Sequence, residues 1–225
     1  INIFDKSGAS LDQNVVKALA YIVSLTSNYN IAAVNMSFGS PRAFTETCDT
    51  YLPAVTAEIH NLRIKNVATV ISSGNNYSLG MSSPACISEA VSVAATYITQ
   101  NNLTDFSNAS EFTTLAAPGY RINSSKMSGT YGTASGTSMA APFVAGAFAV
   151  YRSKYGVQSV EDVVVAFQET AVPATHSDTG IIAKRIDLHS LFALPVSPST
   201  TVAPSSSTSS TSTTVLDVDS STTTV

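Results

Sequence analysis

The residue of this chain best placed to do chemistry is Ser138, in Gly136-Thr137-Ser138-Met139-Ala140-Ala141-Pro142. It stands where a Gly/Ser/Thr-rich stretch gives way to a strongly apolar segment running from Met139 to Tyr155. Rich in Ala and Gly, that segment reads as a helix buried all round. A helix start presents N–H groups without intrahelical partners and the positive end of the helix dipole, which suits charge developing on an oxygen. A serine there can equally be a helix N-cap. As a nucleophile it is weak alone; it needs an adjacent base, itself oriented by a third group. The histidines are His60, His176 and His189. His60 falls on an amphipathic helical stretch and reads as a partly exposed helix residue. The other two follow Ser138, in polar or late segments.

The elements that must hold Ser138 are legible from periodicity. Ile1-Asn2-Ile3-Phe4 alternates like a strand, and Asp5-Lys6-Ser7-Gly8 reads as the turn after it. Leu11, Val15, Val16, Leu19, Ile22 and Val23 recur at helical spacing with Asp12 in the first turn. Ile31 to Met36 suits a buried strand. Leu52, Val55, Ile59 and Leu62 share a helix face, with Pro53 at its start. Val67 to Ile71, Ala90 to Ala95 and Leu115 to Ala117 read as further strands, and Val160 to Gln168 as a last helix. The stretch 129–136 cannot be a core element. Buried strands alternating with helices predict an α/β fold with a mostly parallel sheet.

The balance of 11 Lys and Arg against 15 Asp and Glu gives a net charge of −4 and excludes a phosphate-gripping surface, so no nucleic-acid partner is expected. With 44% hydrophobic residues in 225, the chain can bury a sizeable core. No apolar run reaches the ~20 residues of a membrane span. With 2 cysteines, Cys48 and Cys86, neither a four-cysteine metal site nor a dense disulfide scaffold can form. From Pro195 the composition turns Ser/Thr-rich, which cannot bury enough apolar surface to fold. The expected division is a domain over 1–194 and a disordered linker or stalk over 195–225, leading to a further domain or an anchor. Asn76-Tyr77-Ser78, Asn102-Leu103-Thr104, Asn108-Ala109-Ser110 and Asn123-Ser124-Ser125 fit the glycosylation pattern, one that is frequent by chance.

The segment from Gly136 through Pro142-Phe143-Val144-Ala145-Gly146 closely resembles the nucleophile motif of the subtilisin-like serine peptidases. Five other segments match that family in kind and order: Val34-Asn35-Met36-Ser37-Phe38-Gly39, Ser73-Gly74-Asn75-Asn76, Ser83-Pro84-Ala85-Cys86 with the strand after it, Asp105-Phe106-Ser107-Asn108, and Ala116-Ala117-Pro118-Gly119. The resemblance implies a three-layer α/β fold, a mostly parallel sheet flanked by helices. It also implies an endopeptidase in which Ser138 attacks a peptide carbonyl, while the Asn75 side-chain amide and the Ser138 N–H receive the oxyanion. Ser37-Phe38-Gly39 and Ser72-Ser73-Gly74 would wall the pocket for the residue before the scissile bond. Those walls carry no charge, so a strict Arg or Lys preference is not expected. The pocket floor falls in the Tyr77–Ser83 loop.

In that family the acid and the histidine precede the serine. Neither has a counterpart here: His60 lacks the expected context, and Asp5 matches a position after a later strand. The resemblance thus implies an N-terminally truncated domain, inactive as it stands, in which Ile1–Phe4 and Ile31–Met36 either leave a gap where the acid-bearing strand would lie or pair in a way that family does not use. Tyr97 stands where some relatives carry a calcium-binding Asp, so neither metal nor cofactor is expected. A polypeptide substrate and an extracellular location follow, and one cysteine pair in a low-charge chain suits a Cys48–Cys86 disulfide bracing the Asn75 loop. Two other readings stand beside this one. A catalytically dead subtilisin-like binding module on a stalk is one. The other is an α/β-hydrolase esterase, disfavoured because no strand is expected to run into Ser138.

Overall fold

The computed structural model describes residues 1–127 and 129–193. The Ser/Thr-rich segment over 195–225, and whatever follows it, lies outside the described residues. In chain order the elements are α1 (Asp12–Leu25), β1 (Ala33–Met36), β2 (Ala43–Phe44), α2 (Pro53–Arg63), β3 (Ala68–Ser72), β4 (Met81–Ser82), β5 (Val91–Thr96), β6 (Leu115–Pro118), β7 (Ile122–Ser125), β8 (Tyr131–Ala134), α3 (Thr137–Tyr155), α4 (Val160–Glu169), β9 (Val172–Thr175), β10 (Ile182–Arg185) and α5 (Leu188–Ala193). The main sheet runs β1-β3-β5-β6-β10-β9; its pairs are parallel except β10–β9.

β3 and β5 are buried along their whole length, as strands covered on both faces must be. Alternation then splits each strand between two cores. Ala68 and Val70 of β3, with Val91, Val93 and Ala95 of β5, pack with Ala140, Ala141, Val144, Ala147 and Phe148 of α3 and with Val163, Val164 and Phe167 of α4. Ile71 of β3 and Met36 of β1 pack with Val15 and Leu19 of α1 and Val55, Ile59 and Leu62 of α2. The result is a three-layer α/β fold with a mostly parallel sheet between helices.

Several expectations need correction. Ile1–Phe4 is irregular chain, because no strand lies beside it to take up its backbone groups. β1 pairs only with β3 among the described residues, and between it and the first residues lies a cleft of about 310 Å³ lined by Ile3, Phe4, Val34 and Phe38. α3 is not buried all round: Phe143 is 44% and Val150 52% exposed, while Ala140, Ala141 and Ala147 are buried in the core against β3 and β5. Small residues on that face let the helix approach closely. The stretch 129–136 does contain a strand, β8, but it pairs with β7 in an exposed two-stranded hairpin outside the main sheet. The antiparallel pair β9–β10 and helix α5 extend the fold past α4, where short polar-flanked segments carried no clear period. No helix of the described residues is long and apolar enough to cross a membrane.

Candidate active site

Ligands of parallel sheets gather at the carboxyl ends of the strands. β1 and β3 are adjacent and in register, Met36 opposite Ile71. The segments that leave them, Ser37-Phe38-Gly39 and Ser73-Gly74-Asn75, are therefore neighbours in space. α3 begins at that same end of the sheet. Its N-cap is Gly136 and makes no side-chain cap bond, so Ser138 is not the cap but the second residue of the first turn. Its hydroxyl, half-buried, donates to the Ser37 carbonyl at 3.1 Å, and the Ser37 hydroxyl donates to the Ser138 carbonyl at 2.8 Å. Asn35 Nδ2 donates to Ser37 Oγ at 2.9 Å.

Thr137 joins the second segment to the helix. Its N–H and hydroxyl both donate to Asn75 Oδ1, at 2.8 and 3.0 Å, and its Oγ1 accepts from Gly74 N at 3.1 Å. A backbone N–H can only donate, so this contact fixes which end of the amide is oxygen. Both ends of the exposed Asn75 amide lie beside the Gly136 turn, Nδ2 3.4 Å and Oδ1 3.7 Å from where a Cβ at Gly136 would lie. Thr137 is fully buried and escaped the sequence reading. Its only linear signal was adjacency to Ser138.

The loop after Asn75 closes this region from below. Ser82 N donates to Ser73 O at 2.8 Å, and Ser40 N donates to Ser83 O at 2.8 Å. β4 thus runs between the Ser72–Gly74 and Phe38–Gly39 segments, which locates within the Tyr77–Ser83 loop the residue, Ser82, that lies beneath them. Gly74 has φ +115°, and a Cβ there would sit 2.3 Å from Ser82 Oγ, so only glycine fits. At Gly119 a Cβ would meet Ala95 Cβ at 2.6 Å and the Gly136 carbonyl at 2.7 Å, and the Gly136 N–H donates to Gly119 O. That close approach seats the loop ahead of Ser138.

Cys48 and Cys86 form a disulfide with Cα atoms 5.3 Å apart. Both residues are buried, and Cys48 N donates to Cys86 O at 3.0 Å. The bridge ties the chain ahead of α2 to the segment just after Ser83-Pro84.

None of the histidines is a hydrogen-bond partner of Ser138. His60 Nδ1 contacts the Glu89 carboxylate at 3.0 Å on the exposed side of α2. His176 is buried in the β9–β10 turn, where Nδ1 accepts from Asp178 N at 3.3 Å. The His189 backbone N–H donates to Asp187. Asp5 accepts from the Ser7 hydroxyl and from the Ser7 and Ala9 N–H groups, and these bonds hold its carboxyl below the ordinary range. It serves its own turn. Among the described residues no cluster of three metal-ligating side chains occurs.

The site is thus a serine hydroxyl in the first turn of a helix packed on a mostly parallel sheet, beside a Gly-Asn turn. The family model named Subtilase family matches residues 1–188, and the chain belongs to that family. Subtilisin BL of Lederbergia lenta is 31% identical over 144 residues, 63% of this chain and 49% of the relative. Subtilisin E of Bacillus subtilis (strain 168) is 29% identical over 159 residues, 69% of this chain and 38% of the relative. A solved cold adapted subtilisin-like serine proteinase superposes with a TM-score of 0.67 at 28% identity, covering 82% of this chain and 64% of that one. The prenylagaramide maturation protease PagA superposes at 0.70 but with 21% identity, a likeness of fold alone. The chain spans about half or less of the length of these curated relatives.

Proposed function

We propose that this chain carries the nucleophile, oxyanion hole and substrate walls of a secreted serine endopeptidase. The observation that carries the proposal is the contact of Asn75 with Thr137, which holds the Asn75 amide beside the helix turn that bears Ser138. Ser138 Oγ attacks the carbonyl carbon of a peptide bond and passes its proton to a base. The oxyanion that forms receives hydrogen bonds from Asn75 Nδ2 and the Ser138 N–H, donors already oriented before charge develops. Collapse breaks the C–N bond, the amine leaves with the proton from the base, and water then hydrolyses the acyl ester. Ser37-Phe38-Gly39 and Ser72-Ser73-Gly74 present the walls, with Ser82 between them. All are uncharged, so the pocket takes an uncharged side chain. Extended substrate adds to the exposed backbone of these segments as a strand would.

We take the base to be none of His60, His176 and His189: the His60 and His176 rings contact Glu89 and the Asp178 N–H, and no hydrogen bond joins any of the three to Ser138. The Ser138 hydroxyl instead donates to a carbonyl, which cannot take its proton. We therefore assign the base and its orienting acid to residues other than 1–193, and expect this chain on its own to be inactive. An esterase is disfavoured because β8, the strand before Ser138, belongs to the outlying hairpin and not to the main sheet. Labelling with a fluorophosphonate probe tests the reading. The whole natural protein should label at Ser138, the Ser138→Ala variant should not, and the 225-residue chain alone should label no faster than an ordinary serine. Rapid labelling of the chain alone would show that it holds its own base; a whole protein that never labels would be the dead module.

A further inference from the structure

We infer that Asn108 is a positioning residue that sets the backbone of Asn75. The inference rests on reading Asn75 as the oxyanion donor. Asn108 is fully buried, 33 positions further along the chain, between β5 and β6. It grips the chain on both sides of Asn75. Its N–H donates to Gly74 O at 3.0 Å, and that carbonyl belongs to the peptide plane preceding the Asn75 Cα. Its Oδ1 accepts from Asn76 N at 2.8 Å, which belongs to the plane following it. With both planes held, φ and ψ of Asn75 have little freedom. Thr137 then holds the far end of the side chain.

The remaining groups of Asn108 reach the rest of the same loop. Oδ1 also accepts from Ser78 N at 3.2 Å, Nδ2 lies 3.4 Å from Ser82 Oγ as donor, and the Asn108 carbonyl accepts from Ser73 Oγ at 2.7 Å. A single residue therefore spans the turn from Ser73 to Ser82, its backbone holding Ser73 and Gly74 and its side chain holding Asn76, Ser78 and Ser82. The fit depends on Gly74, where a Cβ would stand 2.5 Å from Asn108 Nδ2. An oxyanion donor is effective only if it is aimed before charge develops. Few residue types could replace this one. The Asn76 and Ser78 N–H groups need an acceptor and the Ser82 hydroxyl needs a partner, supplied from a fully buried position. Aspartate alone offers acceptors to both N–H groups and to a rotated Ser82 hydroxyl.

Amide hydrogen exchange on the whole natural protein, with kinetics on a chromogenic peptide anilide, tests this. In the wild type, the Asn76 and Ser78 amides should exchange about a hundredfold slower than in a free peptide despite their exposed loop. Asn108→Ala should speed both by about tenfold or more and leave the Val70 and Val93 amides of the core strands unchanged. It should lower kcat about tenfold with a smaller change in KM, and Asn108→Asp should restore both readouts. Free-peptide exchange of Asn76 and Ser78 in the wild type would overturn the inference. So would an unchanged kcat in Asn108→Ala with those amides loosened. If the alanine variant does not fold, the wild-type rates and the aspartate variant decide. A wild type that shows the exchange pattern but no turnover would overturn the peptidase reading and, with it, the donor role, leaving the clamp as loop structure only.

Discussion

Ser37 and Ser138, 101 positions apart, hydrogen-bond to each other twice, each hydroxyl donating to the other's carbonyl. The pairing ties the carboxyl end of β1 to the first turn of α3. In the proposed mechanism the resting Ser138 hydroxyl must therefore leave its carbonyl partner and turn toward a base before it attacks. The proposed substrate wall and the proposed nucleophile are thus joined directly, and changes at Ser37 should be felt at Ser138.

Asn75→Leu removes the proposed oxyanion donor while leaving a side chain of similar size. In the whole protein kcat should fall by about 10²–10³ with KM little changed, a magnitude taken from a subtilisin rather than from this geometry. Steady-state kinetics on a peptide anilide would check it; a loss confined to KM would place Asn75 in ground-state binding instead.

Thr137→Val keeps the shape of a fully buried side chain but strips the hydroxyl that accepts from Gly74 N and donates to Asn75 Oδ1. The Gly74 N–H is then left without that acceptor. Urea denaturation should register a loss of about 1–3 kcal/mol. Turnover should drop as well, because the amide keeps only one of its two anchors. Thr137→Ser, which retains both bonds, should recover most of the stability and the rate.

Replacing both Cys48 and Cys86 by Ala should destabilise the fold. The bridge closes a loop of 38 positions, which in the chain-entropy picture stabilises by about 4 kcal/mol, a model-dependent figure. Thermal unfolding of wild type and double variant measures the difference. Since both residues are buried, the native protein should also resist mild reductants, with free thiols by mass spectrometry appearing only on unfolding.

The four glycosylation motifs are unequal in the folded chain. Asn108 is fully buried and its side chain is hydrogen-bonded on both atoms, whereas Asn102 and Asn123 are exposed. Secreted from a glycosylating host, the protein should carry no glycan at Asn108 once folded, and the exposed Asn76, Asn102 and Asn123 should be the acceptors. Glycopeptide mapping reads this directly; an occupied Asn108 would mean that its loop is not packed as described.

Much of the architecture followed from local patterning. The runs at β3, β5 and β6, the helical spacing of α1 and α2, and the Pro at the start of α2 each encode their element through contacts a few residues apart. The Ser138 motif was likewise legible, because a Gly-rich loop ahead of an apolar helix is a linear signal. What failed depended on neighbours. Ile1–Phe4 has the alternation of a strand, but a strand exists only through the backbone it pairs with. α3 is apolar on every side by composition, yet only its position beneath the sheet decides that Ala140 is covered and Phe143 is not. Thr137 and Asn108 were invisible as functional candidates for the same reason. Ser, Thr and Asn at turns are common, and nothing in a linear chain distinguishes one whose oxygen meets an N–H brought in from 62 or 32 positions away. The sequence by itself determined which residue types and which elements were available. Only the tertiary structure decided which polar groups meet, because hydrogen-bond partnership between distant residues depends on angles and distances that no local pattern carries.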